Sequence, residues 1–231
     1  MNSVQHLGII LDGNRRFAKR LMAKPWKGHE WGVAKVEKVL EWCKEASIRE
    51  VTLWGFSYEN FNRPEDEKKF LFDIFTNEFL RMAKDERLMK DSVKVNFIGR
   101  LHMFPKKLQD AMEVVQKKTQ NNGRFIVNFA LAYGGRAEIA DAARKMADAL
   151  QRGEITPEDV TLETFDRYLY MKDDLDLIIR TGGEQRSSGF VLWQGAYAEW
   201  IFLEKMWPEF EKEDLLHCLE EYKERERRFG K

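Results

Sequence analysis

A carboxylate and two arginines stand directly after the first apolar run of this chain. Asp12 follows residues 8–11, and Arg15 and Arg16 come after two turn-forming residues. In an open α/β sheet, ligands bind at the carboxyl ends of strands, and a helix that begins there directs free N–H groups toward an anion. An acid beside an anion needs a cation between them, so the segment predicts a phosphate or diphosphate held with a divalent metal. Asp-Gly-Asn is equally typical of an ordinary turn, so this segment alone leaves both interpretations open.

A second set of phosphate-type donors follows a later apolar run. Arg180 and Arg186 offer forked donors that match phosphate oxygens, and Ser187 and Ser188 add hydroxyl groups. The two glycines between the arginines allow the backbone to approach a ligand closely. Arginines on a loop are commonly just solvated, but this combination after an apolar strand favours a phosphate site.

Glu199 is the candidate second metal ligand. We expect it to pair with Asp12 around Mg²⁺, because oxygen ligands with retained waters suit magnesium bound to a diphosphate. The acidic pair at 173–174 could instead belong to an aspartate-rich metal motif, but that motif needs a further Asp at 177, where this chain has Leu177. We interpret the 173–174 pair as a solvated turn.

The elements that must position these residues alternate between two patterns. Strands are predicted at 5–11, 51–57, 93–98, 125–131, 175–179 and 200–203. Helices are predicted at 29–46, 66–90, 104–121, 136–151 and 211–228. This alternation indicates βαβ units and a mostly parallel sheet, and strands that are apolar throughout are typical of a sheet covered on both faces. We therefore predict an α/β fold, a single domain over 1–231 with a central sheet of about six strands flanked by helices.

The helix predicted at 66–90 has apolar residues on more than one face. An ordinary surface helix shows one apolar stripe. One interpretation is a deeply buried helix. The other is that one face packs in the core while another lines an apolar tunnel between helices and sheet.

Composition excludes some classes of function. The 231 residues carry 39 basic and 39 acidic side chains, so no general basic field favours nucleic acid. The two cysteines, Cys43 and Cys218, lack metal-ligand neighbours, which indicates free thiols in a reducing compartment. No run approaches a membrane span. We expect a cytoplasmic protein that touches membranes only transiently.

Several long motifs, in this order, resemble the cis-prenyltransferases, the undecaprenyl diphosphate synthase family. The resemblance runs from His6 to about Gly230 and rests on Asp-Gly-Asn-x-Arg at 12–16, Phe-Ser-x-Glu-Asn-x-x-Arg-Pro at 56–64, Tyr-Gly-Gly-Arg at 133–136, Ile-Arg-Thr-Gly-Gly-Glu-x-Arg at 179–186 and Trp-Gln-x-Ala-Tyr-Ala-Glu at 193–199. It implies a homodimeric, Mg²⁺-dependent transferase. The reaction would condense isopentenyl diphosphate onto an allylic diphosphate, farnesyl or geranylgeranyl, and form Z double bonds. The product would be a polyprenyl diphosphate, the precursor of a glycosyl-carrier lipid.

The resemblance also implies roles for individual residues. Asp12 would hold Mg²⁺ with Glu199, and Asn60 is a position sometimes assigned to proton removal. The allylic diphosphate would contact Gly13, Asn14, Arg15, Arg16, Phe17, His29 and Phe61. The catalytic pocket would be completed by Ser57, Tyr58, Glu59 and Arg63. Isopentenyl diphosphate would be bound by Arg180, Arg186, Ser187 and Ser188. Arg228 and Gly230 would reach the neighbouring subunit's site.

Some positions depart from the commoner bacterial pattern. Pro25 stands where that pattern has an arginine, and Lys24 or Lys27 could supply the missing charge. The residues Arg15, Phe17 and Phe61 are closer to archaeal-type enzymes. These departures leave open the allylic primer and the product length.

Three other functions were weighed. A non-catalytic partner subunit of a prenyltransferase would have lost Asp12, Asn60 or the Arg180 and Arg186 pair, and all four are present. A dinucleotide-binding protein would show Gly-x-Gly-x-x-Gly after the first strand. A phosphohydrolase with Asp12 as nucleophile would carry a second acid two residues later, where this chain has Asn14.

Overall fold

The fold is built on one twisted sheet of parallel strands. The computed structural model describes residues 3–24 and 26–225. The strands in this part are β1 His6–Ile10, β2 Glu50–Ser57, β3 Val93–Ile98, β4 Phe125–Tyr133, β5 Leu177–Arg180 and β6 Glu199–Phe202. They lie in the order β3-β4-β2-β1-β5-β6, and every neighbouring pair is parallel. The α/β prediction is confirmed, and each strand lies within two residues of its predicted position.

The helices cover both faces of this sheet. They are α1 Asn14–Arg20, α2 Lys27–Glu45, α3 Glu65–Lys84, α4 Arg87–Lys90, α5 Lys106–Thr119, α6 Gly135–Gln151, α7 Leu162–Asp166 and α8 Lys212–Glu224. Side chains of β1 show how the sheet divides the core: Leu7 and Ile9 lie in the larger cluster with residues of α2, α3, α5 and α8, whereas Ile10 lies in a smaller cluster. None of the helices in the described ranges has the length and apolar character needed to span a lipid bilayer.

Two predicted helices end earlier than their patterns indicate. The segment 66–90 divides at Asp85, whose backbone is extended. The Asp85 carboxylate accepts a hydrogen bond from the N–H of Arg87 at 2.9 Å, so a side chain competes with the helical bond at this point. The helix predicted at 211–228 ends at Glu224, with Arg225 extended. Residues 226–228 of that prediction lie outside the described residues.

Helices α1 and α2 approach each other closely just beyond the carboxyl end of β1. A Cβ atom on Gly28 would lie 1.9 Å from the carbonyl oxygen of Asn14, and one on Gly32 would lie 2.3 Å from the Asn14 Oδ1. The turn before α1 needs a glycine for a different reason, because Gly13 has a φ of 103°. These glycines therefore determine where the Asp12 turn sits relative to α2.

An apolar cavity lies between α2, α3 and the sheet. It encloses about 1230 Å³, counting the solvent at its openings. From the sheet, alternate residues of β4 line it, as the twofold side-chain period of a strand requires: Phe125, Val127, Phe129 and Leu131. From α3 it is lined by Leu71, Phe75, Phe79 and Met82. The first three of these α3 residues also belong to the buried core, so the same side chains of this helix both pack in the core and line the cavity.

Candidate active site

Asp12 lies two residues beyond the end of β1 and is surrounded by hydrogen-bond donors. Its Oδ1 accepts from the Gly13 N–H at 2.6 Å and from Arg16 Nη2 at 3.1 Å, and its Oδ2 accepts from Arg180 Nη2 at 2.8 Å. Burial raises the pKa of the Asp12 carboxyl, but the hydrogen bond from Arg180 and the charges of Arg16 and Arg180 outweigh it, so the pKa lies below its usual 3.8. The carboxylate is therefore ionised at neutral pH.

Arg180 is the buried centre of the site. It ends β5, its residue is 5% exposed, and it pairs in register with Ile10 of β1. Besides Asp12, its guanidinium donates to the Ser188 Oγ at 2.9 Å and to the carbonyl oxygen of Arg186. Its Nε is buried and meets no acceptor in the described part of the chain. A buried guanidinium whose Nε–H has no acceptor is suited to binding an anionic ligand.

Residues 181–189 fold back over the Asp12 turn. Thr181 Oγ1 donates to the Asp12 carbonyl oxygen at 2.8 Å, and Arg16 Nη1 donates to the Gly182 carbonyl oxygen at 2.6 Å. Gly182 has a φ of 88°, which permits this tight turn. The Asp12 turn and the 181–189 loop, separated by about 170 residues in the chain, therefore form one cluster at the carboxyl edge of the sheet.

The end of the 56–64 motif and the start of α3 form a neighbouring cluster around Glu67, a residue that the motif analysis missed. The Arg63 Nη1 donates to Glu67 Oε1 at 2.8 Å and lies 3.2 Å from His29 Nε2. Arg15 Nε lies 3.6 Å from the same carboxylate oxygen. The hydrogen bond with His29, together with Arg63 and Arg15, lowers the pKa of Glu67 to about 2. The four-residue spacing of Arg63 and Glu67 at a helix start was the available signal.

Asn60 and Ser57 cap a short 3₁₀ helix at the end of β2. The Asn60 Oδ1 accepts a hydrogen bond from the Ser57 N–H at 3.1 Å, and this reciprocal cap fixes the direction of the amide. Tyr58 lies under the guanidinium of Arg100, with 5.1 Å to the ring centroid, and Glu59 is the neighbour of Tyr58 in the same turn.

Two aromatic residues of the predicted set pack away from the cavity. Phe61 belongs to a cluster with Phe56, Phe72 and Phe104. Phe17 makes an edge contact with Trp31 of α2, with ring centroids 5.4 Å apart. Neither ring lines the cavity, so a substrate contact from these residues remains a prediction.

One end of the cavity lies beside the two arginine clusters. Asn14 and His29 both line this end, and the Asn14 Oδ1 is buried with no hydrogen-bond partner in the described ranges. The Asn14 Nδ2 donates to the Leu11 carbonyl oxygen at 3.0 Å, so the unpaired oxygen is held in place. Burial raises the cost of charging His29 and lowers its pKa. His29 is therefore neutral at pH 7.

Glu199 lies far from Asp12 within this chain, so one chain alone does not bring the predicted metal pair together. Glu199 opens β6, in register with Leu177, whereas Asp12 follows the opposite end of β1. Five residues of register at about 3.3 Å each place them about 16 Å apart along the strands. Glu199 Oε2 instead accepts from Arg225 Nη1 at 2.8 Å. Within the described residues, no group of three or more His, Cys, Asp or Glu side chains is placed to hold a metal ion.

The other predicted residues lie as follows. Arg186 is exposed and pairs with Glu184, so only its carbonyl oxygen contacts Arg180. Ser187 accepts a hydrogen bond from the N–H of Gly189 at 3.4 Å. Arg228, Gly230 and Pro25 lie outside the described residues. Lys24 lies over the Trp26 ring and Lys27 pairs with Glu30.

Replacing Glu67 by glutamine should make the stability of the fold less dependent on pH in the acidic range. The wild-type carboxylate stabilises the fold fully above about pH 4.5, and its contribution disappears as pH falls toward its folded-state pKa of about 2. We expect Glu67→Gln to be less stable by about 1–3 kcal/mol at pH 7, with the difference shrinking below pH 4.5. Urea unfolding at several pH values measures this. The exposed Glu163→Gln is the control, and a difference independent of pH would contradict the assignment.

Comparison with known proteins shows the family of this chain. A family model described as undecaprenyl diphosphate synthase matches residues 10–230. A tritrans,polycis-undecaprenyl-diphosphate synthase (geranylgeranyl-diphosphate specific) of Methanopyrus kandleri is 44% identical over 229 residues, which cover 98% of this chain and 84% of that protein. An isoprenyl transferase of Thermus thermophilus is 46% identical over 98% of this chain and 89% of its own.

A solved structure extends the likeness to three dimensions. Lavandulyl diphosphate synthase from Lavandula x intermedia, in complex with dimethylallyl diphosphate, has a TM-score of 0.94 and 35% identity, and the likeness covers 99% of both chains. The sequence motifs, the site geometry and the overall fold all indicate the same protein family. The chain is a transferase that belongs to the undecaprenyl diphosphate synthase family of cis-prenyltransferases.

Proposed function

We propose that this protein condenses isopentenyl diphosphate units onto an allylic diphosphate, farnesyl or geranylgeranyl, with formation of Z double bonds. The product would be an undecaprenyl-like polyprenyl diphosphate, the precursor of a glycosyl-carrier lipid. One observation supports this most strongly: an ionised carboxylate held by two arginines lies between Leu11 and Asn14 in the chain, and both of these neighbours line one end of a largely apolar cavity. A diphosphate with a growing hydrocarbon tail has this same division between charge and apolar surface.

The allylic diphosphate fits best at the mouth of the cavity. Asn14 and His29 line the opening, and Arg16 stands beside Asp12. The Arg15 side chain is about half exposed, which leaves it able to reach a phosphate oxygen. The hydrocarbon tail would then extend between α2 and α3, where burial of apolar carbon is favourable.

Isopentenyl diphosphate fits on the other side of Asp12. Arg180 is fixed by hydrogen bonds to Ser188 and to the Arg186 carbonyl oxygen. Its Nε has no acceptor among the described residues and is free to donate to a phosphate oxygen. The Arg186 side chain is exposed beside this position. Two diphosphates bound on either side of one carboxylate would align the attacking double bond with the allylic carbon.

Asp12 fits a magnesium ion that is shared with substrate phosphates. Mg²⁺ commonly binds through one or two carboxylates together with phosphate oxygens and waters, and the Asp12 carboxylate is ionised and partly exposed. Arg16 and Arg180 would remain beside it. When bound, the ion supplies positive charge against the departing diphosphate.

The arginines would lower the barrier by stabilising charge that develops during the reaction. The allylic C–O bond breaks and its electron pair leaves with the diphosphate, while the double bond of isopentenyl diphosphate forms the new C–C bond. Arg16 and Arg180 are already oriented by fixed partners, so little reorganisation is needed. The released proton goes to a weak base, and we propose that the Asn60 amide oxygen or a phosphate oxygen receives it. An amide oxygen has a second lone pair besides the one used by Ser57.

One assay tests the whole proposal. Purified protein is mixed with labelled isopentenyl diphosphate, Mg²⁺ and geranyl, farnesyl or geranylgeranyl diphosphate, and products are resolved by length. Extension of at least one primer is expected. Failure with all three would overturn the proposal and would favour a non-catalytic partner subunit.

Replacing Arg186 by alanine should weaken the use of isopentenyl diphosphate most. The side chain is exposed beside Arg180 and pairs only with Glu184 among the described residues, so its loss costs the fold little. We expect KM for isopentenyl diphosphate to rise about tenfold or more, as for one lost charge-assisted contact, with KM for the allylic substrate nearly unchanged. Steady-state kinetics on each substrate measures this. A larger effect on the allylic KM would show that the two binding sites are assigned the wrong way round.

We further propose a cytoplasmic homodimer that touches membranes transiently. Strand β6 is an edge of the sheet, and an edge strand offers backbone groups to which a second copy can pair. Residues 13–38 carry eight basic and two acidic side chains, and Leu21 and Met22 are exposed within that segment, which suits an anionic lipid surface. Light scattering and flotation with anionic or neutral vesicles test the two parts separately.

A further inference from the structure

The short 3₁₀ helix that carries Asn60 is held in place by more than the sheet. It spans Tyr58–Asn62 and follows β2 directly. The pairing of β2 with β4 is irregular between Trp54 and Ser57, so the hydrogen-bond ladder loses its regular register just before this helix begins. None of the five residues of the helix, all of them described, is buried. Contacts from outside the ladder therefore contribute to where Asn60 lies.

Arg100 makes one of these contacts. Its guanidinium lies over the ring of Tyr58, with 5.1 Å between Cζ and the ring centroid, and a cation in this position is attracted to the negative face of the ring. Tyr58 is 38% exposed, so burial alone holds the ring weakly. Further along the helix, Phe61 packs on Phe56 and Phe104. Arg100 and the phenylalanine cluster therefore hold the helix near its two ends.

Arg100 is itself oriented by a carboxylate. Its Nε donates to the Asp141 Oδ2 at 2.9 Å, and its Nη2 donates to the Asp141 Oδ1 at 3.1 Å. This two-point geometry fixes the plane of the guanidinium as well as its distance. Tyr170 donates its hydroxyl hydrogen to the same carboxylate, and the hydrogen bond from Arg100 lowers the pKa of Asp141. Asp141 is therefore ionised at neutral pH and holds Arg100 in one orientation.

The backbone at Arg100 is also fixed. The preceding residue, Gly99, has a φ of 123°, and a Cβ atom there would lie 2.1 Å from the carbonyl oxygen of Leu131 on β4. Glycine is the residue that permits this approach. The Arg100 N–H donates to the carbonyl oxygen of Ala132 at 3.3 Å. The chain after β3 is therefore held against β4 at the point from which the Arg100 side chain starts.

These residues lie apart from the groups that hold the proposed diphosphates. Asp141 belongs to α6, and Tyr170 belongs to the connection between α7 and β5. Neither Arg100 nor Asp141 is among the described residues that line the apolar cavity. In the described part of the chain, the ion pair of Arg100 is with Asp141 and not with Asp12 or Glu67. An effect of Arg100 on the reaction therefore has to pass through Tyr58 and its helix.

We propose that Arg100 is a positioning residue for the condensation: held by Asp141, it fixes Tyr58 and thereby the 3₁₀ helix that presents Asn60 to the substrates. This inference rests on the proposed function. Arg100 takes no part in bond breaking or in proton transfer. Because misplacement of a group by about 1 Å can slow a reaction by about 10²-fold, loss of Arg100 should slow bond formation more than it weakens substrate binding.

Replacing Arg100 by alanine tests the inference. The rate of the first condensation with both substrates saturating should fall about tenfold or more, while KM for each substrate changes less than about threefold. The rate is measured in a single turnover with labelled isopentenyl diphosphate, Mg²⁺ and the primer that the wild type extends. Thermal unfolding of the same sample reports whether the variant is folded.

Three further variants separate charge, hydrogen bonding and general perturbation. Arg100→Lys keeps a cation near the Tyr58 ring and should recover most of the lost rate. Arg100→Gln keeps a hydrogen-bond donor for Asp141 without the charge, and it should be as slow as Arg100→Ala. Arg144→Ala is the matched control, because it removes an exposed arginine whose Nη2 lies 3.7 Å from the same Asp141 carboxylate. It should leave the rate unchanged.

A double-mutant cycle shows whether Arg100 acts through Tyr58. Tyr58→Leu removes the ring and leaves the pair of Arg100 with Asp141 in place. The double variant with Arg100→Ala should be no slower than the slower single variant, because both changes break the same contact. Independent effects that multiply would contradict this route. If Arg100→Ala does not fold, Arg100→Gln takes its place in the cycle.

The outcomes distinguish this inference from the proposed function. Absence of any condensation by the wild-type protein would overturn the proposed function. A wild type that condenses, together with a folded Arg100→Ala variant that is equally fast, would overturn only the role of Arg100. A structural role alone would be shown if the rate fell in step with thermal stability in both Arg100→Ala and Arg144→Ala, with no recovery in Arg100→Lys.

Discussion

Replacing Asp12 by alanine should reduce turnover by about 10²- to 10³-fold while leaving the protein folded. Asp12 is the ionised acid at the centre of the arginine cluster, with contacts to Gly13, Arg16 and Arg180. Its loss removes the proposed magnesium ligand and the anchor that orients both arginines. The reduction should appear in kcat with either substrate saturating, because the carboxylate acts on the departing diphosphate.

Stability measurements separate this effect from misfolding. Removal of Asp12 leaves Arg180 buried without its carboxylate, so some loss of thermal stability is expected. Asp12→Asn keeps one oxygen acceptor and the same volume, and it should be more stable than Asp12→Ala but nearly as inactive. Asp110→Ala, which removes an exposed acid paired with Lys106, is the matched control. A near-normal rate in Asp12→Ala would disprove the role of this carboxylate.

Replacing Arg180 by methionine should lower kcat/KM for isopentenyl diphosphate by at least about 10²-fold. Methionine roughly preserves the buried apolar volume but removes the donors to Asp12, to Ser188 and to the Arg186 carbonyl oxygen. The loss should be greater than in Arg186→Ala, because Arg180 is buried and also organises the loop.

The pH profile distinguishes this role from a merely structural one. The hydrogen bond and charge of Arg180 lower the pKa of Asp12, so the pKa of Asp12 should rise in Arg180→Met. Asp12 is active when ionised, and the acidic limb of kcat/KM should therefore move to higher pH than in the wild type. Arg180→Lys keeps a positive charge and should show a smaller displacement. An unchanged acidic limb in Arg180→Met would contradict the coupling of these two residues.

Local patterns predicted most of the elements of this fold. The strand β5 is apolar from Leu177 to Ile179 and completely buried, and the sequence signal for such a strand does not depend on its partners. The break at Asp85 was missed because it depends on one side chain that competes with the helix for a backbone N–H. Apolar periodicity carries no information about that competition.

The site was predicted in part. Asp12, Arg180 and Ser188 lie together as expected, because residues that follow parallel strands meet at one edge of a sheet. Glu199 and Asp12 lie apart within one chain, because the first residue of a parallel strand and a residue that follows a strand lie at opposite edges of the sheet, and β6 begins at Glu199. Glu67 was missed because its partners His29 and Arg15 come from other elements.

The sequence by itself determined the alternation of strands and helices, the residue types of the diphosphate cluster and the family to which the chain belongs. These depend on local periodicity and on motifs whose order can be read along the chain. Only the tertiary structure decided that Arg180 is the hydrogen-bond partner of Asp12 within this chain, and that Arg87 of α4 pairs with Glu37 of α2. Strand register and the close approach of α1 to α2 and of α4 to α2 arise from packing between distant segments, and no local pattern specifies them.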